Sequence, residues 1–443
     1  MSPRAVLWNR QGDNAFTMVR PMAKETARKS PLSRAQVALR AGLATLGVLQ
    51  AAAIGTIYAV DRIRKSRIPG GAQGFPTLAP EDTAVDTSVI RSYTEGQSLY
   101  ADMLDAIDNA KDHIYFETYV WRADAAGRAF KDALYRAADR GVKVYVIYDG
   151  FGNLNQNPRF KIFPKHPNMF VHRLSEVRLG LFTLNIRRTG RTHRKILVVD
   201  RAFAFVGGFN IGDDFGSEWR DTHVRIVGPA IDELADGFVS FWNQLRRPKH
   251  PLLIRHHVRR WDPPISAAFN LPSRLLFPVR GLYLDALERA VDEVLITTAY
   301  FIPDREILSA LVGAARRGVK VKILIPEYSN HILADWVARP LFGKLLENGV
   351  EIWLYQHAMV HSKTMTVDGI WSTVGTANLD RLSLVGNYEV NLQIHSAAFA
   401  ERMQQIFAND LTTARRLTLD EWERRPWLTK FTELLLRPYY VVV

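Results

Sequence analysis

The sequence predicts an α/β protein of two similar lobes, related by a pseudo-twofold axis, with mixed, largely parallel sheets and a single transmembrane helix in front of them. Its 443 residues exceed the roughly 250 to 300 at which a single hydrophobic core stops growing, so we expect two lobes. One succession of helices and strands occurs twice along the chain, and a five-residue polar motif recurs at the matching place in each copy.

The N-terminal part reads as a tail followed by an anchor. Residues 1–40 carry eight Lys or Arg against two acidic residues, and we expect a disordered basic tail there, with a transit peptide as the alternative. Residues 41–60, AGLATLGVLQAAAIGTIYAV, are uncharged and as a helix would span about 30 Å, so we predict a membrane anchor, with a buried helix as the alternative. Basic residues flank this segment almost evenly, so its orientation is not predicted.

A connector, residues 61–95, leads into the repeated part of the chain. There, an amphipathic helix runs into a strand rich in β-branched and aromatic residues, and a second helix ends at a glycine before an apolar strand. The paired segments are 99–121 with 282–301 and 130–149 with 308–327, and the glycines are Gly141 and Gly318. A strand, a helix and a strand in this order predict a right-handed βαβ unit with a largely parallel, buried sheet.

The two copies are separated by a basic, proline-punctuated stretch at 245–264. Such a stretch is typical of a boundary, which we place near Asp262. The first lobe is therefore expected over residues 96–262 and the second over residues 263–443.

The polar motif reads H-x-K-x4-D, followed by a glycine and an asparagine. Its first copy is His193, Lys195, Asp200, Gly207 and Asn210, and its second is His361, Lys363, Asp368, Gly375 and Asn378, at the same intervals. Average residue usage gives such a pattern a chance on the order of one in a million at any position, so two matched copies indicate a function.

Each copy fits a β-hairpin that turns at its aspartate, Asp200 in the first and Asp368 in the second. Side chains alternate along a strand, so His193 and Lys195 share a face while Asp200 has the opposite parity. We therefore expect both aspartates to be structural, with their carboxylates bound to the backbone of a turn.

The remaining motif residues suit the cleavage of a phosphodiester. If both histidines meet across one cleft, Lys195, Lys363, Asn210 and Asn378 would hold a phosphate by charge and hydrogen bonds. One imidazole would attack phosphorus while the other protonates the leaving alcohol, and the resulting phosphohistidine would pass to an alcohol or water. We expect no metal and no cofactor, because the lysines neutralise the developing charge and the 12 histidines suggest no ligand set.

A catalytic imidazole needs a carboxylate on its other nitrogen, and two acidic residues recur at one interval. Asp221 follows His193 by 28 positions, and Glu389 follows His361 by the same 28. We interpret both as orienting carboxylates, with ordinary strand-edge acids as the alternative. The interval does not say which carboxylate serves which histidine.

The composition narrows the choice of partner. The 58 Lys and Arg residues against 45 Asp and Glu give a formal net charge of +13, which suggests nucleic acid or an anionic membrane surface. The absence of cysteine excludes disulfides, thiolate zinc sites and cysteine nucleophiles.

Near the C-terminus, four apolar residues fall at helical spacing, namely Trp427, Phe431, Leu434 and Leu435. Such a stripe suits either a bilayer interface or core packing.

With these residues in place, residues 96–443 resemble the phospholipase D superfamily, and within it bacterial cardiolipin synthases. The doubled H-x-K-x4-D carries the first likeness, and the second rests on the runs VGGFNIGDDF, EWRDTHVRIVGPA, ITTAYFIPD, GTANLDRLS and NYEVNL. The resemblance implies two α/β/α lobes that share one active site, with His193 as nucleophile and His361 as general acid and base. It also implies that Glu389 orients His193 and that Asp221 orients His361.

The reaction that the resemblance implies transfers a phosphatidyl group from one phosphatidylglycerol to another through a phosphatidyl-histidine, giving cardiolipin and glycerol. The alternatives are a hydrolytic phospholipase D, a transphosphatidylase with another acceptor alcohol, a nuclease of the superfamily and a non-catalytic membrane-binding protein. The expected anchor favours anionic membrane lipids over nucleic acid as partners, and predicts a single-pass protein of the bacterial cytoplasmic membrane. The acceptor, the acyl-chain preference and the oligomeric state stay open.

Overall fold

The computed structural model describes residues 34–67, 74–175, 190–255, 262–436 and 438. The described residues divide into two units, residues 34–49 and the described residues from Gln50 onward. Most of the predicted basic tail, residues 1–33, lies outside the described residues.

The predicted helix over residues 41–60 is part of a longer helix, α1 (Arg34–Arg67). Within the parts of the chain that the structure describes, no helix combines the length and the apolarity that crossing a membrane requires. The helix is therefore confirmed and the membrane span is not. Alanine, glycine and Gln50 make this segment only modestly apolar.

The remaining helices and strands follow in two series along residues 50–443. The first series is β1 (Glu81–Val85), β2 (Ser88–Tyr93), α2 (Gly96–Asp108), β3 (His113–Thr118), α3 (Ala125–Asp139), β4 (Lys143–Asp149), β5 (Met169–Leu174), β6 (Ile196–Val199), β7 (Phe203–Gly207), α4 (Asp213–Ser217), β8 (Trp219–Arg220), β9 (His223–Val227) and α5 (Ile231–Leu245). Strands β1 and β2 lie in the stretch that the sequence assigned to the connector.

The second series contains a short 3-10 helix at Pro272–Arg274 and the following elements. They are β10 (Ile265–Phe269), α6 (Pro278–Arg289), β11 (Glu293–Thr298), β12 (Phe301–Ile302), α7 (Arg305–Arg316), β13 (Lys320–Pro326), α8 (Ile332–Ala338), α9 (Pro340–Glu347), β14 (Glu351–Tyr355), β15 (Met359–Val360), β16 (Lys363–Val367), β17 (Trp371–Gly375), β18 (Leu379–Asp380), α10 (Arg381–Val385), β19 (Val390–His395), α11 (Ala397–Leu411), β20 (Ala414–Leu417), α12 (Leu419–Glu423) and α13 (Trp427–Leu436).

The two series begin and end their helices in matching ways. Asp124 caps α3 by accepting a hydrogen bond from the backbone N–H of Gly127 at 3.0 Å, and Asp304 caps α7 in the same way at 3.0 Å. After each of these helices comes a glycine in the left-handed region, Gly141 with φ 98° and Gly318 with φ 95°. The predicted helix ends are therefore confirmed.

Each series forms one eight-stranded sheet. The strand orders are β1-β2-β9-β7-β6-β3-β4-β5 and β10-β19-β17-β16-β11-β13-β14-β20, so six strands occupy corresponding places in the two sheets. The predicted hairpins are present as the antiparallel pairs β6–β7 and β16–β17.

The sheets are mixed, as predicted, but the expectation that they are largely parallel is wrong. In each sheet only two of the seven neighbouring pairs run parallel, namely β3–β4 and β4–β5 in the first and β11–β13 and β13–β14 in the second. The parallel pairs join strands that are linked by crossover connections. The two strands of each hairpin, and the remaining neighbouring strands of each sheet, pair antiparallel.

Helices cover the sheets and the two sheets share a core. Helices α2 and α3 pack on one face of the first sheet through residues such as Leu99 and Phe130. On its other face, Val206 belongs to the same hydrophobic cluster as Phe238 of α5 and Val374 of β17. Burial of both inner faces in one cluster holds the two series together.

Candidate active site

The backbones of the two histidines are held by matching hydrogen bonds between the two halves of the chain. The backbone N–H of His193 donates to the carbonyl of Tyr388 at 2.9 Å, and that of His361 donates to the carbonyl of Arg220 at 2.7 Å. Short parallel pairings extend these contacts, Thr192 with Tyr388 and β15 with β8. Each histidine therefore lies against the segment that carries the acidic residue of the other half.

Each imidazole meets that acidic residue through Nδ1. Nδ1 of His193 lies 3.1 Å from the Glu389 carboxylate and 3.0 Å from the Thr376 carbonyl, and Nδ1 of His361 lies 2.6 Å from the Asp221 carboxylate. The carboxylates are almost completely buried. With Nδ1 occupied in this way, Nε2 is the nitrogen left for chemistry in each ring.

The motif lysines lie buried beside the histidines. Nζ of Lys195 donates to the His193 carbonyl at 2.7 Å, and Nζ of Lys363 donates to the His361 carbonyl. Burial lowers the pKa of Lys195 to about 7 and that of Lys363 to about 8. An anion placed beside these amines would raise both pKa values, so the lysines favour the binding of a negatively charged group.

Burial shifts the pKa values of the histidines and carboxyl groups of the site towards their neutral forms. Burial, together with both lysines, lowers the pKa of His193 and of His361 well below its ordinary value. Burial also raises the pKa of Asp221, and raises that of Glu389 to about 8. A neutral imidazole keeps the Nε2 lone pair that nucleophilic attack requires.

The motif asparagines and histidines line one cavity of about 670 Å³. Asn210 accepts a hydrogen bond from the Val120 N–H at 3.2 Å, and Oδ1 of Asn378 is buried with no hydrogen-bond partner among the described residues. Further lining residues include Tyr119, Trp219 and Tyr300. The Tyr119 ring centroid lies 4.9 Å from that of His193, and the Trp219 centroid lies 5.0 Å from that of His361.

The motif aspartates lie away from this cavity, at the far ends of β6 and β16. The Asp200 carboxylate accepts from the backbone N–H groups of Lys111, Asp112 and His113 at 2.6 to 2.8 Å. The Asp368 carboxylate accepts from those of Val291, Asp292 and Glu293 at 2.8 to 2.9 Å. Each aspartate thus ties its hairpin to the turn before the neighbouring strand.

The motif glycines allow close approach of the next strand. A Cβ on Gly207 would lie 2.4 Å from the Thr222 carbonyl oxygen, and one on Gly375 would lie 2.3 Å from Oδ1 of Asn391. Gly208, which the sequence analysis did not single out, approaches still closer, because its Cβ would lie 2.0 Å from Oδ1 of Asp221. Gly208 therefore leaves room for the carboxylate that binds His361.

Sequence reasoning also missed two buried arginines that support the carboxylates. Arg194 donates to the backbone carbonyls of Glu389 at 3.3 Å and Asn270 at 2.9 Å. Arg220 donates to Asp410 through two nitrogens at 2.7 and 2.8 Å, and to Ser362 at 3.0 Å. The sequence signal for Arg194 was its place between His193 and Lys195, and that for Arg220 was its place next to Asp221. The spacing of the residues did not indicate their partners, which are distant along the chain.

Among the described residues, no group of three or more His, Asp or Glu side chains is arranged to hold a metal ion. The polar groups that the structure brings together at the site are imidazoles, amines, amides and carboxylates. These groups suit a phosphodiester, because protonated lysines can bind its negative charge and a neutral imidazole can attack its phosphorus.

The fold and the paired His–Lys motifs define a protein of phospholipase D type. A crystal structure of phosphatidylserine synthase from Haemophilus influenzae superposes with a TM-score of 0.62 at 16% identity, covering 86% of this chain and 98% of that one. One of polyphosphate kinase from Porphyromonas gingivalis has a TM-score of 0.51 at 12% identity and covers 83% and 57%. At these identities the likeness concerns the fold alone.

Residues 103–242 and 283–411 match the family described as cardiolipin synthase, PLD-like domain. The chain is 32% identical to the major cardiolipin synthase ClsA of Bacillus subtilis (strain 168), over 81% of this chain and 75% of that one. It is also 32% identical to a cardiolipin synthase of Staphylococcus aureus (strain Mu50), over 78% and 71%. The chain therefore belongs to the cardiolipin synthase family of phospholipase D-like proteins.

Proposed function

We propose that this protein is a cardiolipin synthase, a phosphatidyltransferase that joins two phosphatidylglycerol molecules and releases glycerol. The observation that carries the proposal is the pair of His–carboxylate contacts, each of which joins the two halves of the chain. Both histidines line the same cavity, and a buried lysine lies beside each of them. The two relatives that are 32% identical to this chain over the aligned residues are named cardiolipin synthases, which supports the same conclusion.

In the first step, Nε2 of His193 attacks the phosphorus of phosphatidylglycerol. The N–P bond forms as the bond from phosphorus to the glycerol oxygen breaks, and His361 gives its proton to that oxygen. Glu389 accepts from Nδ1–H of His193. The positive charge that develops on the ring lowers the pKa of Glu389, so that its carboxylate form stabilises this charge. The assignment of His193 as nucleophile follows the resemblance to the phospholipase D superfamily.

In the second step, a hydroxyl of another phosphatidylglycerol enters the place that glycerol has left. His361, now neutral, takes the hydroxyl proton while the O–P bond forms and the P–N bond breaks. Asp221, at 2.6 Å from Nδ1, holds the His361 ring and stabilises its protonated form. Cardiolipin leaves and both imidazoles return to their starting states.

The lysines and asparagines act on the phosphate throughout. Lys195 and Lys363 supply positive charge to the equatorial oxygens, and the amides of Asn210 and Asn378 supply hydrogen bonds. The bound monoanion raises the pKa of His361 towards its ordinary value, so that this ring can carry the proton that the leaving glycerol needs.

A lipid substrate also requires the protein to work at a membrane, and we propose the bacterial cytoplasmic membrane. Residues 41–60 are the candidate anchor on the strength of their uncharged length. Deleting residues 1–49 and extracting membranes with alkaline carbonate would test this. Residues 50–60, which the shortened chain keeps, are too few to cross a bilayer, so its full retention in the membrane would exclude residues 41–60 as a spanning anchor.

The deciding experiment is mass spectrometry of lipids after purified protein has been incubated with phosphatidylglycerol vesicles, beside a His193→Ala variant. Cardiolipin and glycerol from the wild type alone would support the proposal. Phosphatidic acid would mean that water is the acceptor, and a new headgroup with added alcohols would mean a transphosphatidylase. Retention of the wild-type rate by the folded His193→Ala variant would refute the assigned nucleophile.

A further inference from the structure

Helix α13 (Trp427–Leu436) carries its apolar stripe on the outside of the protein. Trp427 is 76% exposed, Leu428 and Leu434 are each 59% exposed, and Phe431 is 43% exposed. Positions 427, 431 and 434 fall on one face of a helix, and position 428 borders it. The alternative interpretation of this stripe as core packing is therefore wrong for Trp427, Phe431 and Leu434, whereas Leu435 is half-buried.

The opposite face of the same helix is held against the protein by a charged residue. Glu433 is 5% exposed, and its two carboxylate oxygens lie 3.0 Å from Nε of Arg339 and 3.0 Å from Nη2 of Arg425. Leu436 is fully buried on this side. A helix that folds against a protein in water normally places its apolar stripe inward and its charge outward, whereas α13 does the reverse.

The ion pairs fix this inverted orientation. Rotating α13 to bury its stripe would pull Glu433 away from both arginines and leave Arg425, whose side chain is only 14% exposed, without this carboxylate partner. Apart from Glu433, the charged side chain of α13 is Lys430, which is exposed. Arg424, just before the helix, is 78% exposed and forms an ion pair with Asp420 at 2.8 Å. The outward surface is thus apolar, with the Lys430 cation at its edge.

This surface continues towards the mouth of the active cavity. Nε2 of Gln50 in α1 donates to the carbonyl of Leu435 at 3.1 Å, which joins the end of α13 to α1. Tyr58 lies eight residues further along α1, about 12 Å at 1.5 Å per residue, and lines the cavity. Ile57 beside it is buried in the core, so this part of α1 is fixed to the protein.

We propose that the outward face of α13, formed by Trp427, Leu428, Phe431 and Leu434, docks on an anionic lipid bilayer beside the mouth of the active cavity. The stripe enters the boundary between headgroups and acyl chains, and Lys430 contacts the anionic headgroups. The proposal rests on the proposed function in one respect, since a substrate held in the bilayer gives the docking its purpose. It places the cavity mouth where a phosphatidylglycerol headgroup can enter.

The test uses the full chain, which contains no cysteine, so one introduced thiol can be labelled cleanly. Leu434→Cys carries a polarity-sensitive fluorophore, and Val291→Cys, at a site that is 71% exposed on another surface, is the matched control. With vesicles of phosphatidylcholine and phosphatidylglycerol, we expect a blue shift and brighter emission at position 434 and no change at position 291. Unchanged emission at position 434, with or without sedimentation of the chain on the vesicles, would refute the proposal.

A second measurement separates docking from catalysis. The triple variant Trp427→Ser, Phe431→Ser and Leu434→Ser should lose about tenfold or more in partition to phosphatidylglycerol vesicles, relative to the control triple Leu252→Ser, Val291→Ser and Ile370→Ser. Its rate on a short-chain phosphatidylglycerol dissolved as monomers should equal that of the control. Equal partition of the two triples would contradict the proposal.

Two further outcomes are distinguishable from these. A blue shift at position 434 that appears without lipid and grows with protein concentration would mean that a second copy covers the face, which also contradicts the proposal. The docking proposal survives, and the proposed function fails, if the lipid-dependent shift is present while neither vesicles nor dissolved substrate yields cardiolipin.

Discussion

Glu389 and His193 are 196 positions apart in the chain, yet the Glu389 carboxylate lies 3.1 Å from Nδ1 of His193. Asp221 and His361, 140 positions apart, form the reciprocal pair at 2.6 Å. Each histidine takes its carboxylate from the other half of the chain. Neither half could therefore complete a His–carboxylate pair by itself.

Replacing Glu389 by Gln, or Asp221 by Asn, should lower kcat by about a hundredfold or more. An amide cannot stabilise the charge that develops on the imidazole and can hold the ring in the wrong tautomer. The change is nearly isosteric, so the thermal unfolding curve serves as the control for folding. Near-normal rates of cardiolipin formation in both variants would mean that these acids are only structural.

The roles of the two histidines can be separated with a nitrophenyl phosphodiester, whose leaving group needs no proton. His361→Ala should still release about one equivalent of nitrophenol in a burst, because His193 can attack without an acid. His193→Ala should give no burst. A burst from His193→Ala and none from His361→Ala would reverse the assignment.

Gly208→Ala should abolish most activity, because the new Cβ would lie 2.0 Å from Oδ1 of Asp221 and push this carboxylate from His361. Gly281→Ala is the matched control, since it lies in α6 with open space around its Cβ position. Alanine is favoured over glycine inside a helix, so the control should gain about 0.5 to 1 kcal/mol in the free energy of unfolding and keep its rate. Equal rates for the two variants would show that Asp221 tolerates displacement.

The alkaline limb of the pH profile should report the motif lysines. In the proposed mechanism they bind phosphate when protonated, and burial lowers the pKa of Lys195 to about 7 and that of Lys363 to about 8. Since kcat/KM reports the free enzyme, it should fall as the pH rises through this range. A bound phosphate raises both pKa values, so kcat should fall only at higher pH. A kcat/KM that stays flat up to pH 10 would contradict the assignment.

The buried pair of Arg220 and Asp410 should matter for stability. Both side chains are 1% exposed, so Asp410→Asn leaves the Arg220 charge buried without its carboxylate and should cost about 3 to 5 kcal/mol in the free energy of unfolding. The exposed pair of Arg289 and Asp285 offers the control, because Asp285→Asn should change stability little. Denaturant unfolding of both variants measures the difference, and equal midpoints would refute the prediction.

Features that depend on neighbouring residues could be predicted from the sequence. Apolar spacing and a following glycine were enough for α3 and α7, since a helix is stabilised by contacts three and four residues apart and ends where a left-handed residue is needed. The hairpins at Asp200 and Asp368 followed from two apolar runs around a turn. Strand direction was harder, because it depends on which strands become neighbours rather than on the sequence of any one of them.

The sequence by itself determined the chemical groups of the site, namely two sets of His, Lys and Asn at equal intervals, and the family likeness that these intervals carry. The resemblance implied that Glu389 orients His193, but the spacing of the residues did not, and the tertiary structure brings the two side chains together. Only the tertiary structure decided that Arg220 reaches Asp410, 190 positions away, and that α13 turns Glu433 inward. The physical reason is that spacing along a chain governs local contacts alone. Partners far apart in the chain are chosen by the burial of whole faces and the pairing of buried charges, which depend on the complete fold.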